Sequence, residues 1–240
     1  DEEAQGLRVT LSPGLQPVAE ICYARIGQLF DLACDPRQVA RTLGDLAQAR
    51  PGLRLPGALD AFEQAVRAVL GQLVSVAMAA RLTAKVAAGW GEPLAEAPGY
   101  VLFPTPEALS RADPQALKAL GMPLRRAEAL IHLARAALSG ELPLTAPADI
   151  DAGLRQLQTL PGIGRWTANY FALRGWQAKD IFLPDDYLIK QRFPGMTPSP
   201  AMPAAGSRCD PTRCCISGIP MTGRRRRNSR PGRIPLVSGR

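Results

Sequence analysis

Apolar residues recur at helical spacing along most of the chain. One apolar stripe runs from Phe62 to Leu73, and another runs from Leu124 to Leu138. Apolar residues at every third or fourth position form one face of an amphipathic helix. Residues that favour N-caps stand ahead of further helical segments: Ser75, Thr105 and Asp113. The pattern predicts a mainly α fold, with roughly seven helices packed around one core.

The N-terminal part of the chain has a different pattern. Arg8–Leu11 alternates between polar and apolar residues, as a strand does, whereas Pro17–Leu32 and Pro36–Ala49 have helical spacing. The Pro and Gly within Leu53–Gly57 are typical of a boundary. One short strand is not stable by itself, so the strand pattern of Arg8–Leu11 requires partner strands.

Residues 199–240 differ in composition from the rest of the chain. They hold nine Arg, no Lys and one Asp, and they therefore carry the whole net charge of +8. Their many Pro and Gly, few large apolar side chains and lack of a helical or strand period predict a disordered tail. The run Arg224–Arg227 predicts sequence-independent, salt-sensitive binding to nucleic acid.

The segment Gln158–Ala168 carries the most informative pattern. A helical apolar run ends there in a Pro-Gly turn, Gly162 and Gly164 are able to take positive φ without steric cost, and a new helix starts near Arg165. Backbone N–H groups at the start of that second helix suit a phosphate oxygen. A carboxylate pair follows further along, in Pro184–Asp186. This layout suits chemistry on a nucleic acid.

These residues carry a resemblance to a known family. Leu160–Gly164 followed by Thr167–Ala168 resembles the hairpin of the helix-hairpin-helix DNA glycosylases. Gly71–Ala80 and Phe182–Lys190 are similar to the members that repair alkylated bases. The resemblance implies a helical glycosylase core over residues 53–198, with the helix-hairpin-helix at 158–174. It also implies that residues 1–52 form part of a mixed α/β N-terminal domain, about the first half of which is absent from this sequence. It also implies an enzyme that flips a damaged base, such as 3-methyladenine, out of the duplex and hydrolyses its N-glycosidic bond.

The resemblance further implies the partners of the protein. It implies a monomer that acts on double-stranded DNA containing alkylated bases in the bacterial cytoplasm, without a membrane and without a cofactor. The family suggests a structural monovalent cation, held by backbone carbonyls around Gln158 and Leu160. We predict no metal bound by side chains, because the spacing of Cys209, Cys214 and Cys215 matches neither zinc nor iron–sulfur patterns.

Asp186 is the catalytic residue that the resemblance implies. An alkylated purine carries positive charge and leaves readily, so a carboxylate need only stabilise the oxocarbenium-like sugar or position water. The residues alone favour another role, because Asp185 and Asp186 precede a helix that begins near Tyr187 and acidic caps are common. With the resemblance, we interpret Asp186 as catalytic and Asp185 as a cap or a support.

Trp166 indicates the subclass. Relatives that also nick the DNA strand carry a Lys immediately before the Thr-Ala of the hairpin, and its amine forms a Schiff base with the sugar. Trp166 at this position implies a monofunctional enzyme, and its indole is suited to stack on an electron-poor base. The predicted base pocket comprises Trp166, Tyr170, Tyr187, Leu188 and Gln72. The alternative, that Trp166 and Tyr170 are core aromatics, stays open at this point.

The predicted DNA-binding residues lie in two places. Leu73 resembles the apolar wedge that fills the gap left by a flipped base, although a core leucine at the end of its stripe is an equally good interpretation. The hairpin supplies the others: Gly162, Ile163, Gly164 and Thr167.

The resemblance stops near Pro198. Some codon choices for Cys214–Pro220 encode Leu-His-Ile-Trp-Tyr-Thr when each triplet is read one base earlier. That is the pattern expected of the family at this place. We interpret residues 199–240 as a frameshifted tail, with a natural basic tail as the alternative. Two other functions therefore stay open: a non-catalytic helix-hairpin-helix DNA-binding module, and an inactive frameshifted glycosylase.

Overall fold

The computed structural model describes residues 6–48, 50–95 and 97–192. A short 3-10 helix, Pro13–Val18, comes first. The α-helices of the described ranges are α1 (Ala19–Leu29), α2 (Pro36–Leu43), α3 (Asp45–Gln48), α4 (Ala61–Leu70), α5 (Val76–Trp90), α6 (Pro106–Ser110), α7 (Pro114–Ala119), α8 (Leu124–Ser139), α9 (Ile150–Thr159), α10 (Arg165–Gly175) and α11 (Tyr187–Arg192). The prediction of a mainly helical fold is confirmed. The predicted tail, residues 199–240, lies outside the described residues.

The hydrophobic core lies where α4 and α10 pack together and α8 packs against α4. Val66, Val69 and Leu70 of α4 are fully buried, as are Leu130 of α8 and Ala168 of α10. Each fully buried Val or Leu side chain contributes about 1.5–3 kcal/mol. The apolar stripe of α4 thus fixes the second helix of the hairpin against the body of the domain.

The predicted helix starts are confirmed by hydrogen bonds. Ser75 Oγ accepts from the N–H of Met78 at 3.2 Å and begins α5. Thr105 Oγ1 accepts from the N–H of Ala108 at 3.3 Å and begins α6. Asp113 begins α7 in the same way, so each cap occupies a backbone donor that the helix leaves unpaired.

The predicted strand at Arg8–Leu11 is wrong. The described residues form no β-strand, and the one isolated β-bridge among them joins Pro93 to Val101. Arg8–Leu11 runs without regular structure, since a strand requires a partner edge and none lies beside it in the described ranges.

The two N-terminal helices are shorter than the apolar spacing predicts. The helix predicted over Pro17–Leu32 begins at Ala19 and ends at Leu29. The helix predicted over Pro36–Ala49 breaks at Gly44, whose φ of +53° leaves the helical region, and a short α3 follows.

Hydrogen bonds join the N-terminal segment to the residues that precede the acidic pair. Lys179 Nζ lies 2.6 Å from Oδ1 of the buried Asp31, whose Oδ2 accepts from the N–H of Leu55 at 3.2 Å. Burial raises the pKa of Asp31, but the hydrogen bonds from Lys179 and Leu55 outweigh it and hold this pKa below its usual value. Gln177 Nε2 also donates to the carbonyl of Gln28 at 2.6 Å. The segment that leads into the acidic pair is thus held at two points.

None of the described helices combines the length and the apolar character that a membrane span requires.

Candidate active site

The hairpin joins α9 to α10 through Leu160–Gly164. Gly162 has φ +81°, whereas Gly164 has φ −87° and ψ 177°, so of the two glycines able to take positive φ only Gly162 does so. A Cβ added at Gly162 would lie 2.5 Å from Cβ of Ala129, but one added at Gly164 meets nothing within 4 Å. Packing and backbone conformation therefore require a glycine at Gly162, whereas a side chain at Gly164 would extend into open space.

The N-terminus of α10 faces that open space. Gly164 is its N-cap residue, and no side chain caps the helix. The N–H groups of Gly164, Arg165 and Trp166 find no acceptor within the part of the chain that the structure describes. Uncapped N–H groups and the positive end of the helix dipole make this turn suitable for a phosphate oxygen.

Alanine substitutions should separate these two glycines. Gly162→Ala should lower the thermal midpoint of unfolding, because the new methyl group meets Ala129 and the left-handed φ disfavours a Cβ. Gly164→Ala should leave the midpoint within about 2 °C, as expected of a surface change within ±0.5 kcal/mol, yet weaken duplex binding by crowding the phosphate. Thermal melts and a duplex titration measure both effects. A Gly164→Ala variant that binds duplex as tightly as the wild type would argue against a phosphate at this turn.

Two hairpin residues predicted to contact DNA are buried instead. The Ile163 side chain is 8% exposed and packs in the core, and its N–H donates to the Leu160 carbonyl at 3.1 Å. Thr167 is 3% exposed, and its Oγ1 accepts from Gln72 Nε2 at 2.9 Å. Both residues shape the hairpin from inside, because their side chains complete the core behind the turn. Contact of these two residues with DNA stays a prediction, and it falls to their backbone atoms.

Both carboxylate oxygens of Asp186 are held. Oδ1 accepts from the N–H of Leu188 at 2.9 Å and from that of Ile189 at 3.4 Å, so Asp186 caps α11. Oδ2 accepts from the indole N–H of Trp166 at 3.1 Å. The cap falls to Asp186 rather than to Asp185, and capping does not exclude the other role, because the second oxygen faces the aromatic side chain.

Asp185 is held by two cations. Its Oδ2 lies 2.5 Å from Arg165 Nε, and its Oδ1 lies 3.3 Å from Lys190 Nζ. The hydrogen bond from Arg165 holds the pKa of Asp185 below its usual value, although partial burial opposes it, and it raises the pKa of Arg165 in turn. Asp185 thus joins the first residue of α10 to α11 and fits the predicted supporting role.

The aromatic side chains form a platform beside Asp186. The rings of Trp166 and Tyr170 stack at a centroid distance of 5.1 Å with 5° between their planes. Both residues are half-buried, and Tyr170 also packs against the core. Tyr187 and Leu188 are 73% and 67% exposed at the start of α11. Their place in a base pocket stays a prediction.

The loop after α4 brings the predicted wedge next to this platform. A Cβ added at Gly71 would lie 4.0 Å from Cη2 of Trp166, so the loop backbone lies close to the indole edge. Leu73 is 102% exposed with φ +56°, which excludes the interpretation that it is a core leucine. Gln72 was predicted in the base pocket, but its Nε2 donates to the Gly162 carbonyl at 2.8 Å and to Thr167. The Gln72 amide therefore supports the hairpin, and its place in the base pocket stays a prediction.

Sequence reasoning missed Arg126. Its Nη2 donates to the carbonyl of Gln72 at 2.5 Å from a half-buried position on α8. The contact joins residues far apart in the chain, and no local motif surrounds Arg126, so no signal in the sequence identifies it.

An uncapped hairpin helix, an exposed leucine and a carboxylate beside stacked aromatic rings together define a protein that acts on a base of nucleic acid. The chain belongs to the HhH-GPD superfamily of base excision DNA repair proteins, whose family model matches residues 66–201. The model of the AlkA N-terminal domain matches residues 1–60. The resemblance drawn from the hairpin, to the helix-hairpin-helix DNA glycosylases, is confirmed.

Individual proteins agree with this assignment. The chain is 69% identical over 193 residues to DNA-3-methyladenine glycosylase 2 of Escherichia coli strain K12, covering 80% of this chain and 68% of that protein. A 3-methyladenine DNA-glycosylase from Archaeoglobus fulgidus has a TM-score of 0.60 at 23% identity, covering 74% of this chain and 62% of that one. The apo 8-oxoguanine glycosylase/lyase of Clostridium acetobutylicum has a TM-score of 0.64 at 19% identity, covering 72% and 65%. The two solved structures show the shared fold, and the chain spans less than two thirds of each.

Proposed function

We propose that this protein is a monofunctional DNA glycosylase that excises alkylated bases such as 3-methyladenine from duplex DNA by hydrolysing the N-glycosidic bond. The observation that carries the proposal is the position of Asp186. Its Oδ1 is held by the N–H of Leu188, and its Oδ2 is held by the indole of Trp166. A carboxylate fixed at both oxygens is oriented before substrate arrives.

The reaction requires little from the enzyme beyond the negative charge of the Asp186 carboxylate. An alkylated purine is cationic, so its glycosidic bond breaks readily and leaves positive charge on the sugar. Asp186 stabilises the oxocarbenium-like sugar or positions the attacking water. The platform of Trp166 and Tyr170 binds the flipped cationic base by stacking and by a cation–π contact. Neutral bases gain less from the aromatic faces, which favours damaged bases over normal ones.

The start of α10 and Leu73 contact the DNA duplex. The open N–H groups at the start of α10 bind a phosphate, and Leu73 enters the base stack where the damaged base has left. One chain supplies both features, so the proposal needs a monomer only. Residues 1–198 carry as many acidic as basic side chains, so the proposal rests on these features and not on the net charge.

The monovalent cation that the family suggests has suitable donors at the hairpin. The Leu160 carbonyl accepts the N–H of Ile163 and keeps a second lone pair, and carbonyl oxygens suit hard cations. Such an ion would stiffen the turn between α9 and α10. Its presence stays a prediction.

Excision should leave the DNA strand intact. Trp166 stands where bifunctional relatives carry Lys, and the Lys190 ammonium is paired with Asp185. A methylated duplex incubated with the protein should therefore break at abasic sites only after hot alkali, and borohydride should trap no protein–DNA adduct. A covalent adduct that Trp166→Ala or Asp186→Asn removes would overturn the monofunctional assignment.

A non-catalytic DNA-binding module is the alternative. Such a module keeps the hairpin but needs neither Asp186 nor the aromatic platform, and it would generate no alkali-sensitive sites. The alternative of an inactive frameshifted glycosylase depends on residues 199–240, outside the described residues. The same alkali assay on the chain as it stands distinguishes both from the proposed function.

A further inference from the structure

Arg126 contacts the loop that presents Leu73. Its Nη2 donates to the carbonyl oxygen of Gln72 at 2.5 Å. No carboxylate forms an ion pair with Arg126 in the described part of the chain. Burial lowers the pKa of Arg126 below its usual value, so the half-buried position is unfavourable for the charge by itself. Ion pairing therefore does not explain why a guanidinium lies here.

The peptide between Gln72 and Leu73 sets the direction of the leucine. Leu73 has φ +56°, a left-handed conformation that a residue with a Cβ disfavours. Relaxation of this φ turns the peptide group that contains the Gln72 carbonyl. A hydrogen bond from Arg126 to that carbonyl opposes the turn, and a charged donor makes it stronger than a neutral one would.

The same residue is held from the opposite side by the hairpin. Gln72 Nε2 donates to the Gly162 carbonyl at 2.8 Å and to Thr167 Oγ1 at 2.9 Å. Gln72 therefore joins three elements: α8 through Arg126, the turn through Gly162 and α10 through Thr167. The residue beside Leu73 cannot move unless contacts to the hairpin or to α8 break.

We propose that Arg126 is a positioning residue for base flipping, which holds the Gln72 carbonyl so that Leu73 points out of the protein while the hairpin binds the phosphate. The inference rests on the proposed function, because it assigns Arg126 a part in the same reaction. Arg126 does not touch the reacting atoms; it acts through Leu73.

A double-mutant cycle with Leu73 tests this. The probe is a duplex that carries 2-aminopurine next to a methylated base, because 2-aminopurine fluorescence rises when stacking is lost. Arg126→Ala in the full chain should slow the fluorescence rise roughly tenfold, as expected for the loss of a charged hydrogen bond. Duplex affinity should change by less than about threefold, since no phosphate contact is removed. Arg126→Lys should recover part of the rate, because it keeps a cationic donor.

Two comparisons distinguish a positioning role of Arg126 from a general effect of losing a charge or of losing the fold. Arg125→Ala removes the same charge from an exposed neighbour on α8 and should leave the flipping rate unchanged. In a Leu73→Ala background, Arg126→Ala should have no further effect, since the side chain that it orients is gone. If Arg126→Ala loses helical circular dichroism, Arg126→Met takes its place in the cycle, because Met keeps the apolar stem but has no donor for the Gln72 carbonyl.

The outcomes differ for the inference and for the function on which it rests. Additive effects of Arg126→Ala and Leu73→Ala, or a salt dependence of binding reduced by about one phosphate contact, would make Arg126 a phosphate ligand and overturn the inference. A normal flipping rate in Arg126→Ala would do the same while leaving the proposed function intact. A rise that does not depend on Leu73 would overturn the inference alone, whereas a wild-type protein that shows no rise and generates no alkali-sensitive sites would overturn both.

Discussion

Asp186→Asn should reduce excision of 3-methyladenine by about 100-fold or more, in the range seen when a positioned acid–base group is lost. The substitution removes the charge that stabilises the oxocarbenium-like sugar. Asn is as good an N-cap as Asp, so its side-chain oxygen is able to keep the bonds to Leu188 and Ile189 that begin α11. When that oxygen keeps the cap, the side-chain NH2 group faces the indole N–H of Trp166 and loses its hydrogen bond, which costs about 0.5–1.5 kcal/mol of stability. The loss of activity should far exceed this cost, and it should appear in single-turnover excision and not in duplex affinity.

Asp185→Asn is the matched control for this prediction. It makes the same chemical change one residue earlier, but it breaks the ion pairs with Arg165 and Lys190 instead. These pairs are partly exposed, and such pairs contribute about 0–1 kcal/mol each. Excision should fall by less than about tenfold, as expected of a supporting residue. Equal losses in both variants would mean that Asp186 acts only by holding the local structure.

Leu73→Ala should lower excision from matched duplex by about 10- to 100-fold, since an unstacked base step costs a few kcal/mol that the wedge offsets. The free protein should be as stable as before, within about 0.5 kcal/mol, because Leu73 lies entirely in solvent. Leu73→Met keeps the apolar volume and should retain most of the activity. Single-turnover excision and urea unfolding measure the two effects.

Leu70→Ala gives the contrast. Leu70 lies on α4 just before the wedge and is fully buried in the core. Its truncation should cost about 2–5 kcal/mol of unfolding free energy, whereas the neighbouring wedge substitution costs almost none. Excision by Leu73→Ala at the wild-type rate, in a protein of normal stability, would remove Leu73 from base flipping.

The sequence predicted the features that depend on neighbouring residues alone, such as helix caps and turns. Ser75 and Thr105 begin helices because their side chains accept hydrogen bonds from the first turn, and Gly162 takes positive φ because it has no Cβ to disfavour that conformation. The strand at Arg8–Leu11 failed for the opposite reason, because a strand depends on a partner elsewhere. The break at Gly44 was missed, because the apolar period continues across the glycine.

In the candidate site, too, the sequence predicted local features and missed those that depend on distant contacts. The motif located Asp186, Trp166 and the hairpin, but it did not distinguish residues that face solvent from residues that pack behind the turn. Ile163 is buried within the core, and Gln72 donates across the turn, since tertiary packing decides both. Arg126 contributes through a contact between distant parts of the chain. Only the folded arrangement reveals such a partner.

Mass-spectrometric detection of free base after incubation with methylated duplex DNA tests the central claim most directly. The wild-type chain should release 3-methyladenine and leave an unbroken strand with abasic sites, and Asp186→Asn should release none above the spontaneous rate while binding the same duplex. A wild-type chain that binds the duplex but releases no base, or an Asp186→Asn variant that releases it at the wild-type rate, would contradict the account.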